Sequence, residues 1–177
     1  MKVLVAYASK YGATEGIAQR IGEALRQRGL DVDIVNCADS PEASGYDAYV
    51  IGAAVYEGSW RKDARKFVEQ NADVLAARPV WLFSSGPVGT EKVDKDGKDV
   101  LKGAEPKQFG EYAELLHPRG TQVFFGAYHH DKIRGGDRII TWMPVVRDLL
   151  PEGDFREWDV IEGWANSVAD DLVAART

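Results

Sequence analysis

The opening of the chain limits its fold more than any other segment. Lys2-Val3-Leu4-Val5-Ala6-Tyr7 is an apolar run, the turn Ser9-Lys10-Tyr11-Gly12-Ala13-Thr14 follows, and then Ile17, Ala18, Ile21, Ala24 and Leu25 recur at helical spacing. A short unbroken apolar run suits a strand buried on both faces of a parallel sheet, and the spacing after it suits a helix burying one stripe. The turn between them has the build of a phosphate cradle. The first N–H groups of a helix lack intrahelical partners and the helix dipole is positive there. The hydroxyls of Ser9 and Thr14 add donors without charge, and Gly12 lets the backbone turn and approach a ligand. The loop fits neither G-x-G-x-x-G nor G-x-x-x-x-G-K-S/T, so a monophosphate is expected rather than a dinucleotide or a nucleoside triphosphate. An N-cap and turn with no ligand is the alternative that hydroxyls alone leave open.

The same alternation continues along the chain. Gly29 closes the first helix, and Asp31-Val32-Asp33-Ile34-Val35-Asn36 reads as a half-buried edge strand. Ala48-Tyr49-Val50-Ile51-Gly52-Ala53-Ala54 reads as a central strand, followed by a helix with Ala64, Phe67, Val68 and Leu75 inward. Pro79 to Ser84 is the fourth strand and Gln122 to Ala127 the fifth. Between these two lies a charge-mixed insertion at about residues 85–107, too long for a plain connection, ahead of a helix near Gln108 to Leu116. A solvated insertion and a lid or partner-docking loop are both open for it. Two further helices are expected, one around Ile139 to Leu150 kinked or started by Pro144, the other with Ile161, Trp164, Ala165, Val168 and Leu172 inward.

Five strands joined by helices run parallel with right-handed crossovers, and order 2-1-3-4-5 is the natural solution, an α/β three-layer sandwich. At 177 residues a single domain spanning 1–177 is expected. No apolar run is long enough to cross a bilayer and no signal-peptide pattern stands at the start, so a cytoplasmic location is expected. The net charge of −6 argues against nucleic acid or an anionic membrane as main partner. Cys37 stands alone, which excludes an intramolecular disulfide and suits a reduced, buried thiol.

In such a sheet a ligand sits beyond the carboxyl ends of the strands, near the switch point between strands one and three. Three loops meet there: Ser9 to Thr14, then Ala54-Val55-Tyr56-Glu57-Gly58-Ser59-Trp60, and Ser85-Gly86-Pro87-Val88-Gly89. Tyr56 and Trp60 offer aromatic faces to a flat ring, or taken singly serve as the loop's own hydrophobic anchor; Ser85 and the amides of Gly86 and Gly89 offer donors to its edge. Together the loops describe a phosphorylated heterocycle. His129, His130 and Asp131 follow strand five on the same side, but adjacent histidines rarely share a metal, and a solvated loop is expected, with no metal site. His117 reads as a helix-end residue.

On these residues the chain resembles the flavodoxin-like family, whose first loop holds the phosphate of FMN and whose other two hold its isoalloxazine. The family's first loop, Thr/Ser-x-Thr-Gly-x-Thr, is matched by Ser9, Gly12 and Thr14, with Tyr11 where a hydroxyl residue is common. The resemblance implies a cofactor site of Ser9, Lys10, Tyr11, Gly12, Ala13 and Thr14, of Ala54, Val55, Tyr56, Glu57, Gly58 and Trp60, and of Ser85, Gly86, Pro87, Val88 and Gly89. Within the family, Gly52 to Trp60, the insertion after strand four and the segment Gly153-Asp154-Phe155-Arg156-Glu157-Trp158 are similar to the branch of menaquinone-dependent protoporphyrinogen IX dehydrogenases. Long-chain flavodoxins interrupt strand five, whereas Gln122 to Ala127 reads as uninterrupted. The resembling enzymes carry basic and aromatic residues in the insertion; here Lys92, Lys95, Lys98, Lys102 and Lys107 are balanced by Glu91, Asp94, Asp96, Asp99 and Glu105. The implied activity is flavin-dependent transfer of reducing equivalents between a small organic substrate and a quinone-like acceptor. The alternatives are a flavodoxin-type electron carrier that docks on a redox partner protein, and a site that takes a 5-deazaflavin coenzyme; an oligomer is left open. Glu57-Gly58 is the expected tuning point: a glycine there permits a peptide flip toward the ring, and a nearby carboxylate lowers the potential.

Overall fold

A computed structural model describes residues 1–129 and 152–174. The chain runs β1 (Lys2–Ala8), α1 (Ala13–Gln27), β2 (Asp31–Asn36), a 3-10 turn (Cys37–Asp39), β3 (Ala48–Tyr56), β4 (Ser59–Trp60), α2 (Lys62–Ala76) and β5 (Val80–Ser85). It continues through α3 (Val100–Gly103), α4 (Lys107–Leu116), β6 (Gly120–Phe124), β7 (Ala127–Tyr128), β8 (Gly153–Asp154) and α5 (Trp158–Ala174). The expected helix around Ile139 to Leu150, with Pro144, and the pair His130 and Asp131 lie outside the described residues.

The principal sheet has the order β2-β1-β3-β5-β6, all parallel, and β4 folds back antiparallel on the end of β3. This is the expected 2-1-3-4-5 order once the short β4 is set aside. β1 sits between β2 and β3, with Val5 opposite Ile34 on one side and Val50 on the other. Alternate β1 residues supply two cores. Val3, Val5 and Tyr7 join Ile17, Ile21 and Leu25 of α1 and Ile161, Val168 and Leu172 of α5; Leu4, Ala6 and Ala8 join Phe67, Val68 and Leu75 of α2 and Phe109, Tyr112 and Leu116 of α4. Both faces of the sheet are thus covered by helices, the requirement of a parallel sheet. α1 and α5 are also tied by ion pairs of Arg20 with Glu162 and Arg28 with Asp170. Among the described residues no helix is long and apolar enough to cross a membrane.

Helix ends follow the sequence. Gly29 takes a left-handed φ of 80°, and the amides of Gly29 and Leu30 satisfy the carbonyls of Arg26 and Leu25, a Schellman stop for α1. His117 is the left-handed C-cap of α4. The insertion is locally folded. The Asp94 carboxylate accepts from the amides of Asp96 and Lys98, Asp99 caps α3 through the Lys102 amide, and Leu101 and Ala104 pack against the core on that face of the sheet.

One strand departs from expectation. The apolar run through Ala127 predicts a continuous fifth strand, but β6 ends at Phe124 and Ala127–Tyr128 forms a separate ribbon with Gly153–Asp154. The break sits where Gly126 turns its backbone elsewhere: its amide donates to Pro87 O at 2.9 Å and its carbonyl accepts from the Phe155 amide at 3.1 Å.

Candidate functional site

Because the strands are parallel, the segments after β1, β3, β5 and β6 all leave from one edge of the sheet. At the first of these, Gly12 is the left-handed N-cap of α1, and the Ser9 hydroxyl accepts from the Gly12 amide at 3.0 Å. The first intrahelical bond is Gly16 N–H to Gly12 O. The amides of Ala13, Thr14 and Glu15 precede it and face the loop, the anion-binding arrangement of a helix N-terminus.

Thr14 corrects the expectation of a hydroxyl presented to phosphate. It is fully buried, and its hydroxyl lies 2.7 Å from that of Ser85 at the end of β5. The same bond removes the Ser85 hydroxyl from a ligand's ring edge. Gly86 is corrected likewise, since its amide donates to Phe124 O at 3.3 Å and so closes the sheet. Pro87, Val88 and Gly89 are partly exposed on the outer part of that loop.

The second loop is a hairpin whose two central residues, Glu57 and Gly58, take φ values of 51° and 71°, with Tyr56 opposite Ser59 and Val55 opposite Trp60. Positive φ at both central residues makes it a type I′ turn, the form that matches strand twist. Cross-strand partners share a face, so Trp60 follows Val55 inward. Trp60 is 2% exposed, its indole N–H donates to the Ser84 hydroxyl at 2.6 Å, and its ring meets Phe109 and Tyr112 edge-on. The expectation that Trp60 stacks on a ligand is therefore corrected: it is a core residue beneath the loop. Tyr56, on the opposite face of the hairpin, is 44% exposed. The Lys10 ammonium stands 5.2 Å from the Tyr11 ring centre and 5.9 Å from that of Tyr56, so the first and second loops meet over it. Ala54 and Val55 line the base of the hairpin as partly exposed residues.

One group absent from the sequence-derived site stands beside the start of α1. Arg156 is clasped by the Asp154 carboxylate through Nε and Nη2, lies over the Trp158 ring at 4.4 Å, and donates from Nη1 to Ala13 O at 3.3 Å. The guanidinium holds the Asp154 carboxyl below its ordinary range, so the pair is charged at neutral pH. Arg156 reaches the helix because Gly16 has no side chain: a Cβ there would fall 2.4 Å from Nη1. Tyr11, Gly12, Ala13, Ala127, Tyr128, His129 and Arg156 enclose a small cavity of about 30 Å³ beside the start of α1. No local pattern announces Arg156, whose partners on α1 lie far away in sequence; the nearest signal is its spacing from Asp154 and Trp158.

A parallel sheet in this order, with a helix-end cradle and an aromatic hairpin at its carboxyl edge, defines a flavodoxin-like α/β protein. The sequence model of the flavodoxin domain matches residues 4–148, and the chain belongs to that family, whose function is of the flavin redox type. It is 24% identical over 182 aligned positions to protoporphyrinogen IX dehydrogenase [quinone] of Escherichia coli strain K12, an alignment covering 96% of this chain and 95% of that one. Among solved structures, Flavodoxin 2 of Bacillus cereus superposes with a TM-score of 0.61 at 18% identity, covering 97% of this chain and 99% of that one. The rubredoxin oxygen:oxidoreductase of Desulfovibrio gigas gives 0.62 at 13% identity over 98% of this chain, which spans 36% of that larger one.

Proposed function

We propose that this chain is an FMN-dependent oxidoreductase that passes reducing equivalents between a small organic substrate and a quinone-like acceptor. The observation that carries the reading is the pairing, along one sheet edge, of an anion-binding end with an aromatic end. The α1 amides and Arg156 stand at one side and the exposed Tyr56 at the other, joined over Lys10. A phosphate on a flat ring matches that polarity. The full-length alignment with a quinone-linked dehydrogenase supports the enzyme reading over a simple carrier.

The donor set fits FMN without the buried hydroxyls. Amides of Ala13, Thr14 and Glu15 and the guanidinium of Arg156 would hold the phosphate, Arg156 adding N–H donors while Asp154 balances its charge. Tyr56 would cover a ring face and exclude water, while Val88 and Gly89 would lie toward the ring edge. Glu57 is exposed at the turn, where its carboxylate would disfavour added negative charge on a ring bound there. A bound flavin supplies the electron and hydride chemistry, and these residues supply binding, orientation and field.

The test is a fluorescence titration of the cofactor-free protein with FMN, riboflavin and a 5-deazaflavin coenzyme. FMN binding at least about tenfold tighter than riboflavin is the expected result, one charge-assisted phosphate contact being worth about 1.5–3 kcal/mol. Preference for the deazaflavin redirects the reading to hydride transfer, and binding of none removes it. The net charge of −6 favours one second reading, a carrier docking on basic redox proteins. Its rates would fall steeply with salt, while turnover of a free quinone would not.

A further inference from the structure

The hairpin that carries Tyr56 and Glu57 is short and exposed at its tip. Tyr56, Glu57 and Gly58 are all exposed, β4 is a strand of two residues, and Glu57 sits at a left-handed φ of 51° that L side chains adopt rarely. Beside the buried Trp60 ring, the hairpin's backbone is held by the first two residues of α4. The Lys107 amide donates to Gly58 O at 3.1 Å. Gln108, fully buried, accepts through Oε1 from the Trp60 amide at 2.7 Å and from the Ser59 hydroxyl at 3.3 Å, while its Nε2 donates to Glu111 at 3.0 Å. A fully buried glutamine with both ends of its amide engaged is a specific device, since an apolar side chain would fill the same space and leave the Trp60 amide without an acceptor.

The bond lies in a wider arrangement. Thr14, Ser84, Ser85 and Gln108 are the buried polar residues among those described, and all four stand under the candidate loops. Gln108 holds the Trp60 backbone, the Trp60 indole holds Ser84, and its chain neighbour Ser85 holds Thr14 at the start of α1. Among the described residues these four buried polar side chains thus cluster at the carboxyl edge of the sheet, on the elements from which the loops rise.

We propose that the first turn of α4 is a latch on the β3–β4 hairpin, with the Lys107 amide and Gln108 as positioning groups that fix the Glu57-Gly58 turn for the ring end of the cofactor. This rests on the flavin reading above. The chain reaches α4 from β5 through the segment at 86–106.

Lys107 permits a narrow test. It is the first residue of α4, a position where proline is tolerated, and Pro106 before it already has the extended ψ of 149° that a following proline requires. Lys107→Pro therefore removes the donor to Gly58 O and keeps the helix, while Lys107→Ala keeps the donor and removes the charge. In Lys107→Pro the affinities for FMN and for riboflavin are expected to fall together by about tenfold. In the cofactor-free protein the amides of Ser59 and Trp60 should exchange with solvent at least about tenfold faster. Lys107→Ala should match wild type in both. A second pair guards against misfolding: Gln108→Met should behave like Lys107→Pro, and Glu111→Gln, which leaves Gln108 and its acceptor for Trp60 in place, should match wild type. Lys107→Pro that binds both flavins like wild type, with unchanged exchange, overturns the latch. Wild-type protein that binds neither flavin overturns the cofactor reading instead, and the exchange rates still report on the latch.

Discussion

Tyr56 and Trp60 stand on one short hairpin and face opposite ways, and the difference decides what each can do. Replacing Trp60 by Phe deletes the bond to Ser84 and leaves a buried hydroxyl to find another acceptor or donor. The expected loss is about 1–3 kcal/mol of folding stability in urea unfolding, with flavin affinity within about twofold of wild type. Were Trp60 a stacking platform, affinity would fall instead. The inward turn of Trp60 follows from a two-residue loop, because Val55 and Trp60 then become cross-strand partners. Glu-Gly flanked by β-formers carries that signal in the sequence, of the same kind as Asp-Gly, and reading it would have assigned both aromatic faces correctly. Arg156 had no comparable signal. Its role depends on a long-range approach to α1 that only the folded chain creates.

α1 is where stability and binding make opposite demands. Glycine in the first turn of a helix is a weak helix former, yet Gly16 is what admits the Arg156 guanidinium against the backbone. Gly16→Ala is expected to leave the cofactor-free melting temperature unchanged or slightly higher, by up to about 1 kcal/mol of helix propensity. It should displace the end of the arginine and reduce the FMN-over-riboflavin preference by about tenfold; paired melting curves and titrations check both halves. The strand order was legible because apolar runs alternate with helical stripes, and parallel strands so joined admit few arrangements. The end of β6 was not, since Phe125 and Gly126 look like more strand and are drawn away only by Pro87 and Phe155. Nor could the turn chemistry of Asp94 and Asp99 show that the charge-mixed insertion packs Leu101 and Ala104 against the core.

For the molecule as a whole, burial sets an alkaline limit. Burial pushes the Cys37 thiol, the Tyr7 phenol and the Tyr112 phenol each up to about 12, with Glu15 adding to the effect at Tyr7. In the unfolded chain they ionise near their ordinary values of 9.0 for the thiol and 10.0 for the phenols. The folded state therefore keeps protons that the unfolded state releases. Stability is fully present below about pH 9 and falls as pH rises from there toward 12. Melting temperatures across that range should be level at first and then decline, and Cys37 should resist alkylation at pH 8 until the protein is unfolded. The site itself spans nearly the whole described chain, for its anion end joins residues of the first loop to Asp154 and Arg156, just ahead of the helix that ion-pairs with α1. During synthesis the cradle leaves the ribosome long before its arginine does. On the proposed flavin reading, cofactor retention would then be a late event in the life of each molecule, and a chain arrested before residue 156 would lack the arginine that meets the start of α1.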